Sequence, residues 1–267
     1  MISKITGGKT EFLFTKKVLN KYDVKYYKCL ETGFIQTEEP YWLDEAYSTA
    51  ITKLDIGLIK RNLEFATKAA KLIAKHFNAD RTFIDYAGGY GMFTRLMRDK
   101  GFDFYNTDKF CDNIFAQNFD LEDAKKSNFE LLTAFEVLEH LNNPYVEIEE
   151  MLAHSPNVLF STEIVPNENL ADWWYFIPET GQHIALYTLK SLEYIAKKYS
   201  KNFYTNGSSL HMFTDKWFNN NPLSNSREPF FLRKMRKLLN SVDFKSLGSR
   251  KSLLEKDWVD AKSKLNI

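Results

Sequence analysis

The sequence predicts an α/β fold, an open and mostly parallel sheet flanked by helices. Three observations carry that prediction. Residues 82–91 (Thr-Phe-Ile-Asp-Tyr-Ala-Gly-Gly-Tyr-Gly) read as a short buried strand entering a glycine-rich turn, and residues 92–97 continue as an amphipathic helix. Parallel α/β sheets open a nucleotide site in this way. Residues 102–108 read as a second strand ending in an acid, Asp108, which lies 108 − 85 = 23 positions beyond Asp85. That is close to the separation of about 20 residues at which such folds set an acid on ribose hydroxyls. Residues 129–135 form an apolar run suited to a strand covered on both faces.

Composition narrows the classes. With 44% hydrophobic residues in 267, the chain can bury a full core. A net charge of +1 (36 basic against 35 acidic residues) gives no global polyanion-binding signature, so nucleic acid is disfavoured as the main partner. Two cysteines, Cys29 and Cys111, fit a reducing compartment and no disulfide framework. No cleavable leader pattern and no apolar run near the roughly 20 residues of a membrane span are visible. A cytoplasmic protein with no membrane partner is expected.

Taken in order, residues 1–48 are aromatic-rich and strand-like, with residues 11–14 and 24–29 separated by a turn at Asn20-Lys21-Tyr22-Asp23. Cys29-x-x-Thr32-Gly33 sits where a zinc knuckle would carry a second cysteine, and Thr32 supplies no thiolate. From about Thr49 to His76 apolar residues recur at helical spacing (Ile51, Leu54, Leu58, Phe65, Ala69, Leu72). Residues 114–120 should hold a third strand, 157–161 a fifth, and 190–198 a helix. Residues 203–206 and 210–213 should form a closing antiparallel pair. Residues 222–267 differ in composition, with Arg227, Arg233, Lys234, Arg236, Lys237, Lys245, Arg250 and Lys251 beside Phe230, Phe231, Leu232, Leu238 and Leu239. They read as amphipathic helices with a solvated basic face, or as a contact for an anionic substrate or a homodimer. The expected division is a strand-rich extension (1–48), a catalytic domain (49–221) and a basic helical extension (222–267).

The turn itself separates two cofactor classes. A dinucleotide site needs G-x-G-x-x-G/A, but Gly89 and Gly91 are followed by Thr94. Instead Asp85-x-Ala87-x-Gly89-x-Gly91 resembles the acid-x-Gly-x-Gly-x-Gly motif of class I S-adenosylmethionine (SAM) methyltransferases, with Ala87 in place of the first glycine. Residues 133–141 (Thr-Ala-Phe-Glu-Val-Leu-Glu-His-Leu) resemble the fourth-strand motif of one group in that family. The group includes small-molecule O-methyltransferases and enzymes from capsule and lipopolysaccharide sugar clusters. The resemblance covers about residues 25–200. It implies a Rossmann-like sheet of seven strands and SAM as cofactor, held by Asp85, Ala87, Gly88, Gly89 and Gly91 with Phe135 and Glu136 alongside. It further implies Asp108 on the ribose and Phe119 and Asp120 at the adenine. Asp108 as a helix cap or turn residue is the alternative. Arg61 reads either as a partner of the methionine carboxylate or as an ordinary surface charge.

The acceptor side is sought in residues 165–184, a long aromatic segment after the fifth strand, at the rim where open α/β sheets bind ligands. Trp173, Trp174 and Tyr175 are read as walls of an acceptor pocket or as a satellite core, and Gln182 as a substrate contact. His183 is the candidate general base, since neutral imidazole takes a hydroxyl proton near neutral pH. His140 is the second candidate catalytic residue. In certain 2′-O-methyltransferases of small RNAs the pattern Glu136-x-x-Glu139-His140 with a later histidine (here His183) binds a divalent metal; many relatives carry these letters without one. The leading reading is transfer of a methyl group to a hydroxyl of a small polar acceptor such as a nucleotide-linked sugar or capsule precursor, with a phosphoryl or phosphoramidate acceptor as a variant. A metal-assisted 2′-O-methyltransferase on RNA ends and a non-catalytic SAM-binding subunit are the competing readings.

Overall fold

The computed structural model describes residues 1–48, 54–224 and 250–265. The chain opens with a sheet in which β1 (Thr10–Val18), β2 (Tyr22–Cys29) and β3 (Ile35–Thr37) run antiparallel, followed by the single-turn helix α1 (Leu43–Ala46). The fourth strand of this sheet is Ala185–Leu186, from far along the chain, pairing with Ile35 and Gln36. The strand-rich part is therefore not confined to residues 1–48.

The helix α2 (Leu58–His76) buries Phe65, Ala66, Ala69, Leu72 and Ile73, one stripe at a period of 3.6. Residues 49–53, where the sequence pattern places the start of this helix, lie outside the described residues. Next come β4 (Thr82–Tyr86), α3 (Met92–Asp99), β5 (Asp103–Thr107), β6 (Leu131–Ala134), α4 (Pro144–His154) and β7 (Val158–Ser161). After β8, the Ala185–Leu186 strand, follow α5 (Leu189–Lys198), β9 (Asn202–Thr205) and β10 (Leu210–Thr214). Six of these strands form one sheet in the order β5-β4-β6-β7-β10-β9, parallel except for β10, which is antiparallel to both its neighbours.

Every residue of β4, β6 and β7 is buried, as apolar strands covered on both faces should be. Successive side chains go to opposite faces. Ile84, Leu132 and Phe160 join a core with Ile148 and Met151 of α4 and Leu192 and Ile195 of α5. Phe83, Leu131 and Leu159 join the core lined by α2 and α3.

The expected third strand is absent, and among the described residues the sheet has six strands, not seven. Asn113 explains this: its amide accepts the Ala116 N–H (2.9 Å) and donates to the Ala116 carbonyl (2.7 Å), closing a turn over the segment. One bridge, Asn106 to Asp120, is what remains of that strand.

A last helix, α6 (Leu254–Leu265), docks on the end of α3. Arg98, 1% exposed, donates to both oxygens of Asp257 (2.8 Å each), to Asp103 (2.7 Å) and to the Phe104 carbonyl (2.8 Å). Its guanidinium lies 3.6 Å from the centroid of the Phe119 ring. Of the basic cluster expected in this extension, Arg227, Arg233, Lys234, Arg236, Lys237 and Lys245 lie outside the described residues. Arg250 donates to the Gly101 carbonyl and pairs with Asp80.

Candidate active site

The turn between β4 and α3 is shaped from beneath. Asp85 is 3% exposed and accepts a hydrogen bond from Thr133 Oγ1 on the neighbouring strand (2.7 Å). Burial pushes its carboxyl up to about 7 against the pull of Thr133, with the Asp108 charge adding to the rise. A Cβ on Gly88 would stand 2.1 Å from Asn106 Oδ1 and 2.4 Å from Asp85 Oδ2, so only glycine fits over this pair. Gly89 differs: it holds φ +57, and nothing lies within 4 Å of where its Cβ would be. Its backbone is therefore open to the space above. Ala87 takes φ +52 without being a glycine, a conformation that costs about 1 kcal/mol. Asn106 Oδ1 is buried with no partner.

Asp108 follows β5 and ties the turn to the next loop. Its Oδ2 accepts the Gly89 N–H (2.9 Å), and its Oδ1 accepts those of Phe110 (2.7 Å) and Cys111 (2.8 Å). The turn role and a place at the rim of the cavity coincide in one carboxylate.

Above the turn lies a cavity of about 1090 Å³. It is lined on one side by Asp85, Ala87, Gly88, Gly89 and Asp108, and on the other by Glu136, His140, Tyr175 and His183. Its volume is slightly above the usual range for small-molecule sites, about 300–1,000 Å³. Phe65 of α2 and Phe135 stack in its wall, ring centroids 4.2 Å apart and nearly parallel. Arg61 lines it too, pairing with Asp55 (2.7 Å) and standing 3.8 Å from Glu136. It is neither a free surface charge nor a lone cation.

The segment after β6 is bent back on itself. Glu136 has φ +56; its N–H donates to Ser161 Oγ (2.8 Å), and that hydroxyl donates in turn to Glu136 Oε1 (2.6 Å). Glu139 is wholly buried, with Oε1 accepting from the Tyr175 hydroxyl (2.5 Å) and Oε2 unpartnered. Burial, then the nearby Glu136 charge, raises its pKa well above the carboxylate range. His140 and His183 stand edge to face, ring centroids 4.9 Å apart. Burial holds His140 down at about 3, with His183 adding to the fall. Burial holds His183 at about 4, with Arg61 also lowering it against the raising effect of the Tyr175 backbone. Both rings are neutral at pH 7. His183 Nδ1 is 2.6 Å from the Tyr175 carbonyl, which accepts only, so Nδ1 carries the proton and Nε2 keeps its lone pair. Ligand-capable atoms of Glu139, His140 and His183 all lie within 4.8 Å of one another.

Not every residue singled out from sequence comes to this cavity. Phe119 and Asp120 do not line it: Phe119 is buried beneath Arg98, and Asp120 is spent on Asn113 (2.8 Å) and on capping the short turn that begins at Leu121. Gly91 lies beneath the turn with φ +80, and a Cβ there would meet Asn113 Oδ1 at 2.1 Å. Trp173 packs on the N-terminal sheet with Phe176, so it belongs to a satellite core, whereas Trp174 and Tyr175 reach the cavity. Gln182 lines the cavity, but its amide donates to the Ala46 carbonyl (2.9 Å), which gives it a structural task. Glu136 is not part of the Glu139–His140–His183 group. Phe110, Cys111, Phe115 and Glu163 line the cavity without having been singled out, as does Tyr47. Phe110 and Cys111 had a local signal, as the residues next to Asp108; Tyr47 and Glu163 had none.

No curated protein matches the chain. Among solved structures, an O-methyltransferase family protein from Burkholderia thailandensis is 10% identical over 66% of this chain and 63% of its own, with a TM-score of 0.46. A methyltransferase of calicheamicin biosynthesis, in its SAH-bound form, is 14% identical over 67% and 60%, with a TM-score of 0.40. Magnesium protoporphyrin IX methyltransferase from Synechocystis PCC 6803, with bound SAH, is 8% identical over 66% and 96%, with a TM-score of 0.41. The chain thus spans less than two thirds of the length of the first two. A model of the methyltransferase domain matches residues 58–200, from the start of α2 through α5, and so takes in the glycine turn, the Glu136–His140 segment and His183. With more than half of its length matched in this way, the chain belongs to the methyltransferase domain family.

Proposed function

We propose that this chain is a SAM-dependent O-methyltransferase acting on a hydroxyl of a small polar acceptor, such as a nucleotide-linked sugar or a capsule or glycan precursor. One observation carries the reading: the glycine turn and the Nδ1-protonated His183 share a cavity, so a cofactor cradle and a free imidazole lone pair face one volume. The cradle fits SAM. Gly89 presents open backbone, Asn106 Oδ1 is an unpartnered buried acceptor beneath the turn, and Asp108 Oδ2, which accepts one N–H, keeps an acceptor position at the rim for a ribose hydroxyl.

Bound there, SAM supplies a methyl carbon on a positive sulfur, with the neutral thioether as leaving group. The work left to the protein is positioning and proton removal. Trp174, 66% exposed, gives the acceptor a flat apolar face, and Tyr175 backs it from beneath. His183 Nε2 takes the hydroxyl proton as the new C–O bond forms, and the Tyr175 carbonyl, accepting from Nδ1–H, steadies the imidazolium. A ring held at about 4 is fully available as a base at pH 7, and it releases the proton readily afterwards.

A second reading is favoured by the convergence of Glu139, His140 and His183, with Glu139 Oε2 unpartnered: these three would hold a divalent ion that lowers the pKa of the acceptor hydroxyl. Titration calorimetry with SAH, followed by labelled-methyl transfer to a panel of nucleotide-sugars, tests the leading reading. No SAH binding sinks it. For the base, His183→Ala should cut turnover about 10²–10⁴-fold while SAH affinity stays within about twofold; full turnover would remove His183 from the mechanism.

A further inference from the structure

We propose that Tyr47, from the N-terminal segment, is a positioning residue of this site: its hydroxyl holds the ring of His140 while its own ring closes the cavity against Phe110. The inference rests on the reading of the cavity as a methyl-transfer site, but its geometry stands apart from that reading. The Tyr47 hydroxyl is 3.0 Å from His140 Nδ1. On its other side the phenol ring stacks on Phe110, centroids 5.5 Å apart at 16°. Phe110 is in turn fixed by Asp108, the residue that grips Gly89. One side chain thus joins the His140–His183 pair to the wall that continues into the glycine turn.

Tyr47 is itself held. Residues 42–47 are fastened to the segment that carries His183: Trp42 Nε1 donates to the Gly181 carbonyl (2.8 Å), and Gln182 Nε2 donates to the Ala46 carbonyl (2.9 Å). The Tyr47 N–H closes back on the Leu43 carbonyl (2.8 Å). From the other side, Ile184 N–H donates to the Glu139 carbonyl (2.9 Å), so His140 and His183 are stitched together at their neighbours. Residues 42–47 therefore reach the site already fastened to the segment that carries His183.

The hydroxyl has a task that packing alone does not need. An imidazole can rotate between two orientations that exchange nitrogen and carbon; a hydrogen bond at Nδ1 holds the ring in one of them.

The test uses the full chain labelled with ¹⁵N-histidine, whose five imidazoles (His76, His140, His154, His183 and His211) report tautomer and hydrogen bonding by their ring nitrogen shifts. Tyr47→Phe keeps the stacked ring and removes the oxygen. It should move the His140 nitrogen signals, leave those of His76, His154 and His211 in place, and leave the melting temperature within a few degrees of the parent. Tyr47→Ala removes the wall as well and should weaken SAH binding by calorimetry several-fold, where Tyr47→Phe leaves it within about twofold. Unchanged His140 signals in Tyr47→Phe would overturn the proposal, as would a general loss of stability with all five histidines shifted. A parent protein that binds no SAH refutes the methyl-transfer reading instead, and the histidine spectra then still decide the contact between Tyr47 and His140.

Discussion

Asp85 makes a quantitative prediction, because the residue under the cofactor turn is a carboxylate that the fold keeps from ionising. Its pKa is raised from 3.8 to about 7, first by burial. Between those values the folded chain holds a proton that the unfolded chain has released. Stability therefore falls as pH rises through that window. At 1.36 kcal/mol for each pH unit, the loss between pH 4 and pH 7 reaches about 4 kcal/mol for this one group. Below 3.8 the penalty is absent; above about 7 it is fully developed and constant. Asp85→Asn cannot ionise, yet its amide oxygen still accepts the Thr133 hydroxyl, so the variant isolates the titration. Urea unfolding of parent and variant at half-unit steps from pH 4 to pH 8 should give stabilities that diverge in favour of the variant as pH rises, with the difference levelling off near pH 7 to 8. Glu139 titrates in both proteins and cancels from the difference. A difference that stays flat across the range would refute the reasoning, since it would mean that Asp85 is ionised in the folded chain at ordinary carboxylate pH.

Other consequences can be checked alongside. Gly89→Val forces a branched residue into φ +57, at a cost of about 1 kcal/mol, and sends its side chain into the open cradle; SAH affinity by calorimetry should drop at least tenfold while the melting temperature falls only a few degrees. Asp257→Ala leaves the guanidinium of Arg98 buried with Asp103 and the Phe104 carbonyl as its remaining partners, and should cost about 3 kcal/mol in urea unfolding, the low end for a broken buried pair. Dialysis against a strong chelator should leave turnover intact on the His183 base reading, whereas loss of turnover restored by a divalent salt would favour the metal reading of Glu139, His140 and His183.

Features written in neighbouring residues were legible in the sequence. Phe83 and Ile84 alternate between two cores because a strand alternates, and the glycines at 88 and 91 sit where a close contact leaves no room for a Cβ. The missing third strand was also a local matter, decided by a residue that strand patterning does not weigh. Residues 114–120 have apolar character enough for a strand, but the Asn113 amide satisfies both backbone groups of Ala116 and diverts the segment into a turn. Contacts that span the chain were not legible. Tyr47 meets His140 across 93 positions and Arg98 meets Asp257 across 159, and nothing in the local pattern of any of the four marks its partner.

The aromatic run at Trp173, Trp174 and Tyr175 lies between these cases, and its geometry resolves it. Residues 174–176 form a 3-10 turn, in which successive side chains point about 120° apart, so adjacent aromatics cannot all face the same volume. Trp173 and Phe176 fall on the side of the N-terminal sheet, centroids 5.6 Å apart and edge to face, and pack there with Tyr26 and Phe14. Trp174 is left 66% exposed at the cavity, and Tyr175 is buried between, its hydroxyl on Glu139 and its carbonyl on His183. A pocket wall and a satellite core were alternatives only while the run was taken as one object. A segment that both anchors itself to a sheet and lines a cavity has aromatics on both sides. The backbone carbonyl of the residue in the middle is what selects the protonated nitrogen of His183.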